Sequence, residues 1–480
     1  MINMEESKFL IWVKSILGNE KLIKAMLYGV MLLLFGLYVM NRVAVIYTTN
    51  IELTTGESNN MWNILKVLNG EMLYTNPENA PYEIFQYAPL SQYIYVGVAK
   101  LFSALDYLSL YKLFRFVNLL FNCIVALVCY NFARKHCVSV VNSLICGFVG
   151  LLLLGNLCWY VRADVFSVCF SVIACVMAYY SLQQNGYILI SVFFTIMAFC
   201  AKQDAIQLFA IIPVALFMIK KYRLGLVYFF MSVVICALIF ISLWLYYGDV
   251  YVDSVIKGVS MSPSITFAFG VFNRYLQLYN FLPIAIVVIS LLAILKSTDQ
   301  NEVFLAMLVL GTFIFAIGTS MKPGGGPSYF TLANILGVLL IILFMRRFPH
   351  KKISSALVVV WAFYFYSGMM FHYTSQSFDF NPEGYENAKN VAEKLRQVLP
   401  EDFKLYTTDN YLKLELAKNT ILPNAEYYPV TPFDMQNAVD DSFYIYGDVN
   451  SDWLFIKMLR KDKIHEIDTI NGLKLYAYEE

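Results

Sequence analysis

Three short polar clusters interrupt an otherwise apolar chain, and their residue types suit chemistry on a lipid-borne substrate. The first follows the opening apolar run: Glu52, then Thr54-Thr55-Gly56-Glu57, Trp62, Gly70-Glu71-Met72-Leu73-Tyr74 and Tyr87-Ala88-Pro89-Leu90. A carboxylate at the mouth of a lipid-facing cavity can take a proton from an acceptor hydroxyl as that hydroxyl attacks a sugar carbon. The spacing Thr54-x-x-Glu57 also has the form of a capping box, which makes Glu57 a helix-start residue, and the two roles are compatible. Glu52 stands alone, as a solvated loop charge or as a second acid beside Glu57. The second cluster is Arg162-Ala163-Asp164, ahead of the apolar run 165–182. It is either a salt-bridged or snorkelling pair at a helix end, where an acid suits the positive pole, or it brings a second carboxylate that positions an acceptor or a catalytic cation. The third is Met321-Lys322-Pro323-Gly324-Gly325-Gly326-Pro327-Ser328-Tyr329-Phe330. Three glycines between a lysine and a helix present backbone N–H groups and a positive helix end to an anion, and Lys322 adds a point charge suited to phosphate. An ordinary turn is the plain alternative. Lys202-Gln203-Asp204 is a further charged triplet, read as a structural pair or as an extension of the phosphate site.

The elements that must position these groups are membrane helices. The chain has 480 residues, of which 59% are hydrophobic and only 14% charged, with a mean hydropathy of +0.59. Soluble domains are nearer half apolar and a quarter charged. Apolar runs recur at roughly 24–48, 112–133, 138–157, 165–182, 187–201, 205–219, 224–246, 279–296, 302–318, 329–344 and 353–371. Several are long enough to cross about 30 Å of hydrocarbon, and none alternates as barrel strands do. The expected fold is a polytopic α-helical membrane protein of about 11–12 spans, and parity requires either that the stretch 90–105 is re-entrant or surface-lying or that one weaker segment is not a true span. Basic loops stay in the cytoplasm. Arg134-Lys135-His136, Lys220-Lys221-Tyr222-Arg223 and Arg346 to Lys352 therefore put 159–164, 202–204, 247–263, 319–328 and the tail outside. The segment 58–69 sets Met61, Trp62, Leu65 and Leu68 on one face and Asn59, Asn60, Asn63 and Lys66 on the other. Such a helix is expected to lie flat at the interface, with Trp62 at headgroup depth, and 263–277 reads similarly. The expected division is a membrane unit over 1–372, with its first outer loop at about 49–89, and a small soluble α/β unit over 373–480. A net charge of +1 points away from nucleic acid, and the nine cysteines, all between Cys123 and Cys236, show no CxxC spacing, so no zinc or redox centre is signalled. A Walker-type nucleotide loop is not matched.

Taken in order, these motifs resemble the GT-C superfamily of integral membrane glycosyltransferases, and within it the bacterial protein-mannosyltransferase-like branch that includes the lipid A aminoarabinose transferase. The resemblance covers most of 20–345 and rests on Glu57 at a helix start, Gly70-x-x-x-Tyr74, Tyr87-Ala88-Pro89-Leu90, Arg115, Arg162-x-Asp164, Lys202-Gln203-Asp204, and Lys322-Pro323-Gly324-Gly325 with Tyr329-Phe330. It implies a sugar donor linked to polyprenyl phosphate, an envelope acceptor (lipid, glycan or protein), and inversion at the anomeric carbon. It implies Glu57 as general base with Asp164 as the second catalytic acid, and Tyr87, Arg162, Lys202, Lys322, Tyr329 and Glu52 as substrate-binding residues. The family usually shows Asp or Asp-Glu where this chain has a single Glu. The resemblance implies no obligatory cofactor, although a divalent cation fits its chemistry, and it places the chain in the bacterial inner (cytoplasmic) membrane with the C-terminal unit outside. Two other readings are a transporter or flippase for polyprenyl-linked glycans and a non-catalytic scaffold that binds them. Transporters favour internal repeats with mid-membrane sites; no repeat is visible, and the polar residues gather at one face.

Overall fold

The computed structural model describes residues 20–53, 56–102, 105–136, 140–154, 158–260, 262–280, 282–322, 324–345, 378–424, 433–434, 436–449 and 454–479. The apolar run at 353–371 lies outside the described residues. In hydrocarbon every backbone N–H and C=O must be satisfied within its own segment, so apolar runs become helices. In chain order these are α1 (Glu20–Tyr47), α2 (Glu57–Leu68), α3 (Leu90–Leu101), α4 (Tyr107–His136), α5 (Val140–Leu153), α6 (Asp164–Tyr180), α7 (Tyr187–Ala201), α8 (Leu208–Met218), α9 (Tyr222–Tyr247), α10 (Asp249–Val255), α11 (Ile265–Tyr279), α12 (Leu282–Lys296), α13 (Gln300–Thr319) and α14 (Thr331–Met345). Among the described residues, five helices are long and apolar enough to cross a membrane: α1, α4, α9, α13, and α14 with the turn before it. Helices α5, α6, α7 and α8 are shorter apolar segments. The chain is a multi-pass α-helical membrane protein.

Burial separates the roles of these helices. Helix α14, apolar all round, runs through the middle of the bundle, with 78% of its spanning window buried. Helix α9 is equally apolar but buries only the stripe Gly225, Tyr228, Ser232 and Cys236. Its spacing of three and four residues leaves side chains such as Phe230 and Leu245 facing outward, where lipid covers them. Helices α11 and α12 meet at 97°, so the segment expected to lie along the surface does run crosswise to its successor. Helix α3 has 12 residues, about 18 Å of rise against about 30 Å of hydrocarbon, and cannot cross alone.

Helix α2 buries its polar face against protein as well as its apolar one. Asn59, Asn60, Asn63 and Lys66 are all buried, as is Trp62. Helix α3 and the rest of the first loop close over the polar face and supply partners. Gln92 Nε2 donates to Asn60 Oδ1 at 2.9 Å, and Lys66 pairs with Glu83 at 2.7 Å, neither side chain retaining any exposure. Lys66 also donates to the Leu73 carbonyl and to Thr75 Oγ1, which pins the loop back onto α2.

The C-terminal part is a small α/β unit. Helix α15 (Glu383–Val398) precedes a four-stranded sheet of β1 (Leu405–Thr407), β2 (Phe443–Tyr446), β3 (Ile464–Ile470) and β4 (Leu473–Tyr478), in the order β1-β2-β4-β3. The β1–β2 pair is parallel and the others antiparallel. Strand β3 (Ile-His-Glu-Ile-Asp-Thr-Ile) escapes sequence reading because it is an edge strand with five consecutive exposed positions, where charge is the usual guard against further pairing. The unit grips the first loop. Leu422 N donates to the Pro81 carbonyl at 2.8 Å, Asn424 Nδ2 donates to the Ile84 carbonyl at 2.6 Å, and Tyr82 Oη donates to Asp441 at 2.8 Å. Tyr82 and Ile84 share one apolar cluster with Leu422, Phe443 and Phe455.

Candidate active site

Two interrupted helices create the site. Helix α7 stops because Lys202 leaves helical geometry (φ −157°, ψ 127°), and a short turn, Gln203–Gln207, intervenes before α8. Helix α6 begins at Asp164, its acid at the positive pole. The two ends bring Lys202 between two carboxylates, with Nζ 2.7 Å from Asp164 Oδ1 and 3.1 Å from Asp204 Oδ2. Arg162 Nε lies 3.3 Å from Asp164 Oδ2, and its Nη2 donates to Tyr87 Oη at 3.2 Å. The Lys202 ammonium sits over the rings of Tyr329 and Tyr87, 5.2 and 5.9 Å from their centroids. Burial disfavours the charge on Lys202, but Asp164 and Asp204 outweigh it and hold its pKa well above the usual lysine value. Asp164, Asp204, Ser167, Ser328, Tyr329 and Thr319 line a small cleft.

Lys322 borders this group from the α13–α14 turn. It is half-buried, and burial lowers its pKa, helped by the Lys202 charge and opposed by Asp204. The expected cradle of glycine N–H groups is corrected in part. Gly325 N donates to the Lys322 carbonyl at 3.0 Å, inside the turn. A Cβ on Gly325 would stand 3.0 Å from that carbonyl oxygen and 3.2 Å from Ser320 Cα, so this glycine serves close backbone approach. The cationic group offered at the turn is the Lys322 side chain.

Gln203 is a positioning residue that the sequence only hinted at. Its Oε1 accepts from Ala88 N at 3.2 Å, and its Nε2 donates to the Gln86 carbonyl. The residues on both sides of Tyr87 are thereby clamped to the α7–α8 break. The signal was a polar triplet between two apolar runs.

Glu57 is not among the residues that line the cleft. Arg115 binds it with Nε–Oε1 at 2.9 Å and Nη2–Oε2 at 2.7 Å, and neither side chain has any exposure. Oε1 also accepts from Val161 N at 3.0 Å and Oε2 from Leu53 N at 3.3 Å. Arg115 further donates to the carbonyls of Val45 and Asn50 at 3.0 Å each. One ion pair thus joins the end of α1, the start of α2, helix α4 and the loop that carries Arg162. The same loop is held by Asn118 Nδ2 on the Tyr160 carbonyl at 2.5 Å and by Tyr95 Oη on the Arg162 carbonyl at 3.2 Å. Glu57 is a helix-start residue as expected, while Thr54, the other half of the expected capping box, lies outside the described residues. Glu57 is the first helical residue, after Gly56 in the left-handed region (φ 85°). It is Glu52 that caps α2, accepting from Gly56 N at 2.7 Å, Glu57 N at 3.3 Å and Ser58 N at 2.9 Å. Burial raises the Glu52 pKa above the ordinary glutamate value, against the hydrogen bonds from Ser58. Of the residues singled out from sequence, Asp164, Arg162, Lys202, Tyr87, Tyr329 and Lys322 come together, while Glu57 and Glu52 support the wall.

No family model matches the chain, and no curated protein is similar to it in sequence. Among solved structures it resembles ArnT from Cupriavidus metallidurans bound to undecaprenyl phosphate, with a TM-score of 0.60 at 13% identity over 94% of this chain and 98% of that one. The Archaeoglobus fulgidus oligosaccharyltransferase in its apo form gives a TM-score of 0.51 at 12% identity, over 90% of this chain and 70% of that one. The archaeal AglB of the same organism, in complex with an inhibitory peptide and a dolichol-phosphate, gives 0.50 at 13% identity, over 87% and 69%. Identities this low speak to the fold alone: this chain shares its fold with ArnT and with the archaeal oligosaccharyltransferase.

Proposed function

We propose that the chain is a glycosyltransferase that moves a sugar from a polyprenyl-phosphate donor to an envelope acceptor, with inversion at the anomeric carbon. The observation that carries this reading is that Asp164 and Asp204 line a cleft and hold Arg162 and Lys202 beside it, with Lys322 within electrostatic reach of Lys202 and Asp204. A departing phosphate gathers negative charge, and preorganised cations in a water-poor cavity stabilise it by several kcal/mol. Lys322 is the cation with the weakest local compensation, so it meets the phosphate. Arg162 and Lys202 stand behind it, held in place by Asp164, while Tyr329 lines the cavity and Tyr87 flanks Lys202. Glu57 and Glu52 take positioning roles, because their oxygens already accept backbone and guanidinium donors. The lipid carrier delivers an activated sugar, so no nucleotide site is needed. In this reading the cleft opens on the outer face of a bacterial cytoplasmic membrane, and the membrane unit (1–372) and the C-terminal unit (373–480) meet over it.

Two ligand classes in the comparison structures, undecaprenyl phosphate with ArnT and dolichol-phosphate with AglB, support a lipid-phosphate carrier. The test is mass spectrometry of surface glycans and glycolipids from a strain lacking the gene, paired with binding of undecaprenyl phosphate to the purified protein in nanodiscs. Loss of a single sugar and saturable binding are expected. An unchanged glycan profile with no binding would remove the transferase reading.

A further inference from the structure

Resting on the transferase reading, we propose that Asp204 is the catalytic base that takes the proton from the acceptor hydroxyl. A base needs an oxygen that a substrate can reach and a lone pair not already committed. Among the described residues three carboxylates compete for this role, and exposure separates them. The Glu57 side chain has none, and its two oxygens accept four donors. The Asp164 side chain is 8% exposed and is held by both Lys202 and Arg162. The Asp204 side chain is 25% exposed and lines the cleft. Its Oδ2 faces Lys202 at 3.1 Å and its Oδ1 accepts from Ser167 Oγ at 3.3 Å. Each carboxylate oxygen has about two lone pairs, so among the described residues one remains uncommitted on each. The two contacts orient the group toward the cleft without filling it.

The step balances as follows. The acceptor oxygen forms its bond to the anomeric carbon, the bond from that carbon to the phosphate oxygen breaks, and its electron pair leaves with the polyprenyl phosphate. The hydroxyl proton passes to Asp204. Protonation removes one of the two counter-ions of Lys202 as the phosphate gains charge, so the ammonium becomes available to the leaving group at the moment it is needed. Proton transfer and leaving-group stabilisation are thereby coupled through a single lysine.

The experiment uses the full chain with Asp204→Asn and Asp204→Glu, returned to the deletion strain and purified in nanodiscs. The readouts are recovery of the missing sugar, affinity for undecaprenyl phosphate, and thermal unfolding. We expect Asp204→Asn to fold, to bind undecaprenyl phosphate at least as tightly as the parent, and to lose roughly 100-fold or more of its transfer rate, the usual scale of general-base catalysis. Asp204→Glu recovers part of the rate with a displaced pH profile. Parental sugar recovery by Asp204→Asn overturns the assignment. So does joint loss of binding and transfer in a folded Asp204→Asn, which marks a positioning role. If Asp204→Asn does not fold, Asp204→Glu decides: a parental pH profile overturns the assignment, and a displaced one supports it. A parent protein that neither binds undecaprenyl phosphate nor restores a sugar overturns the transferase reading itself, and this proposal with it.

Discussion

Lys322 shows how one residue's surroundings become a measurable property. Its ammonium is half-buried beside another cation, so its pKa lies below the usual lysine value. Only the protonated form attracts phosphate. Affinity for undecaprenyl phosphate should therefore weaken as pH rises toward the lysine range, at a lower pH than an ordinary lysine dictates. In Lys322→Arg the fall should vanish, because a guanidinium stays charged throughout. Lys322→Ala should lose roughly 10- to 100-fold in affinity, as expected for a hydrogen bond to a charged group, with an unaltered melting temperature. Calorimetric titration in nanodiscs across that pH range checks all three, and a flat parental profile would detach Lys322 from the phosphate.

At the scale of elements, the Glu57–Arg115 pair joins α1, α2, α4 and the Arg162 loop. Removing one partner of a buried pair leaves the other charged and alone, which typically costs about 3–5 kcal/mol, whereas replacing both by apolar groups is close to neutral. Arg115→Met should therefore lower the melting temperature in detergent sharply, and the double variant Glu57→Leu/Arg115→Met should recover most of it. Transfer should stay impaired in the double variant, because the Val161 N–H has lost its acceptor and the Arg162 loop its anchor. Equal melting of the single and double variants would show that the pair carries no such load.

At the scale of the whole molecule, the C-terminal unit governs the first loop. Asn424 is buried and bonds both the N–H and the carbonyl of Ile84. Asn424→Ala leaves two buried groups unpaired, at about 1–3 kcal/mol each. Hydrogen exchange over residues 76–88 should accelerate by at least about tenfold, with no change in α4. Transfer should fall as well, since the same loop carries Tyr87 into the site. Exchange that does not change would mean that the loop holds its shape without the C-terminal unit.

Hydropathy alone determined that the chain crosses a membrane many times, because long apolar runs have few other stable homes, and basic loops set the expected side for each cluster. Local spacing also determined that 58–69 is helical and that Arg162-x-Asp164 opens a helix, as α2 and α6 bear out. Partner choice was decided only by tertiary structure. Spacing could not tell whether Asn59, Asn60, Asn63 and Lys66 face water or the polar groups of α3 and the first loop. Nor could it tell that Arg115, far along the chain, closes over Glu57 and that the Asp204 side chain stays a quarter exposed at the cleft. A carboxylate's chemistry depends on which donors reach it and how much water remains beside it. Both follow from contacts between segments distant in sequence, which no local pattern encodes.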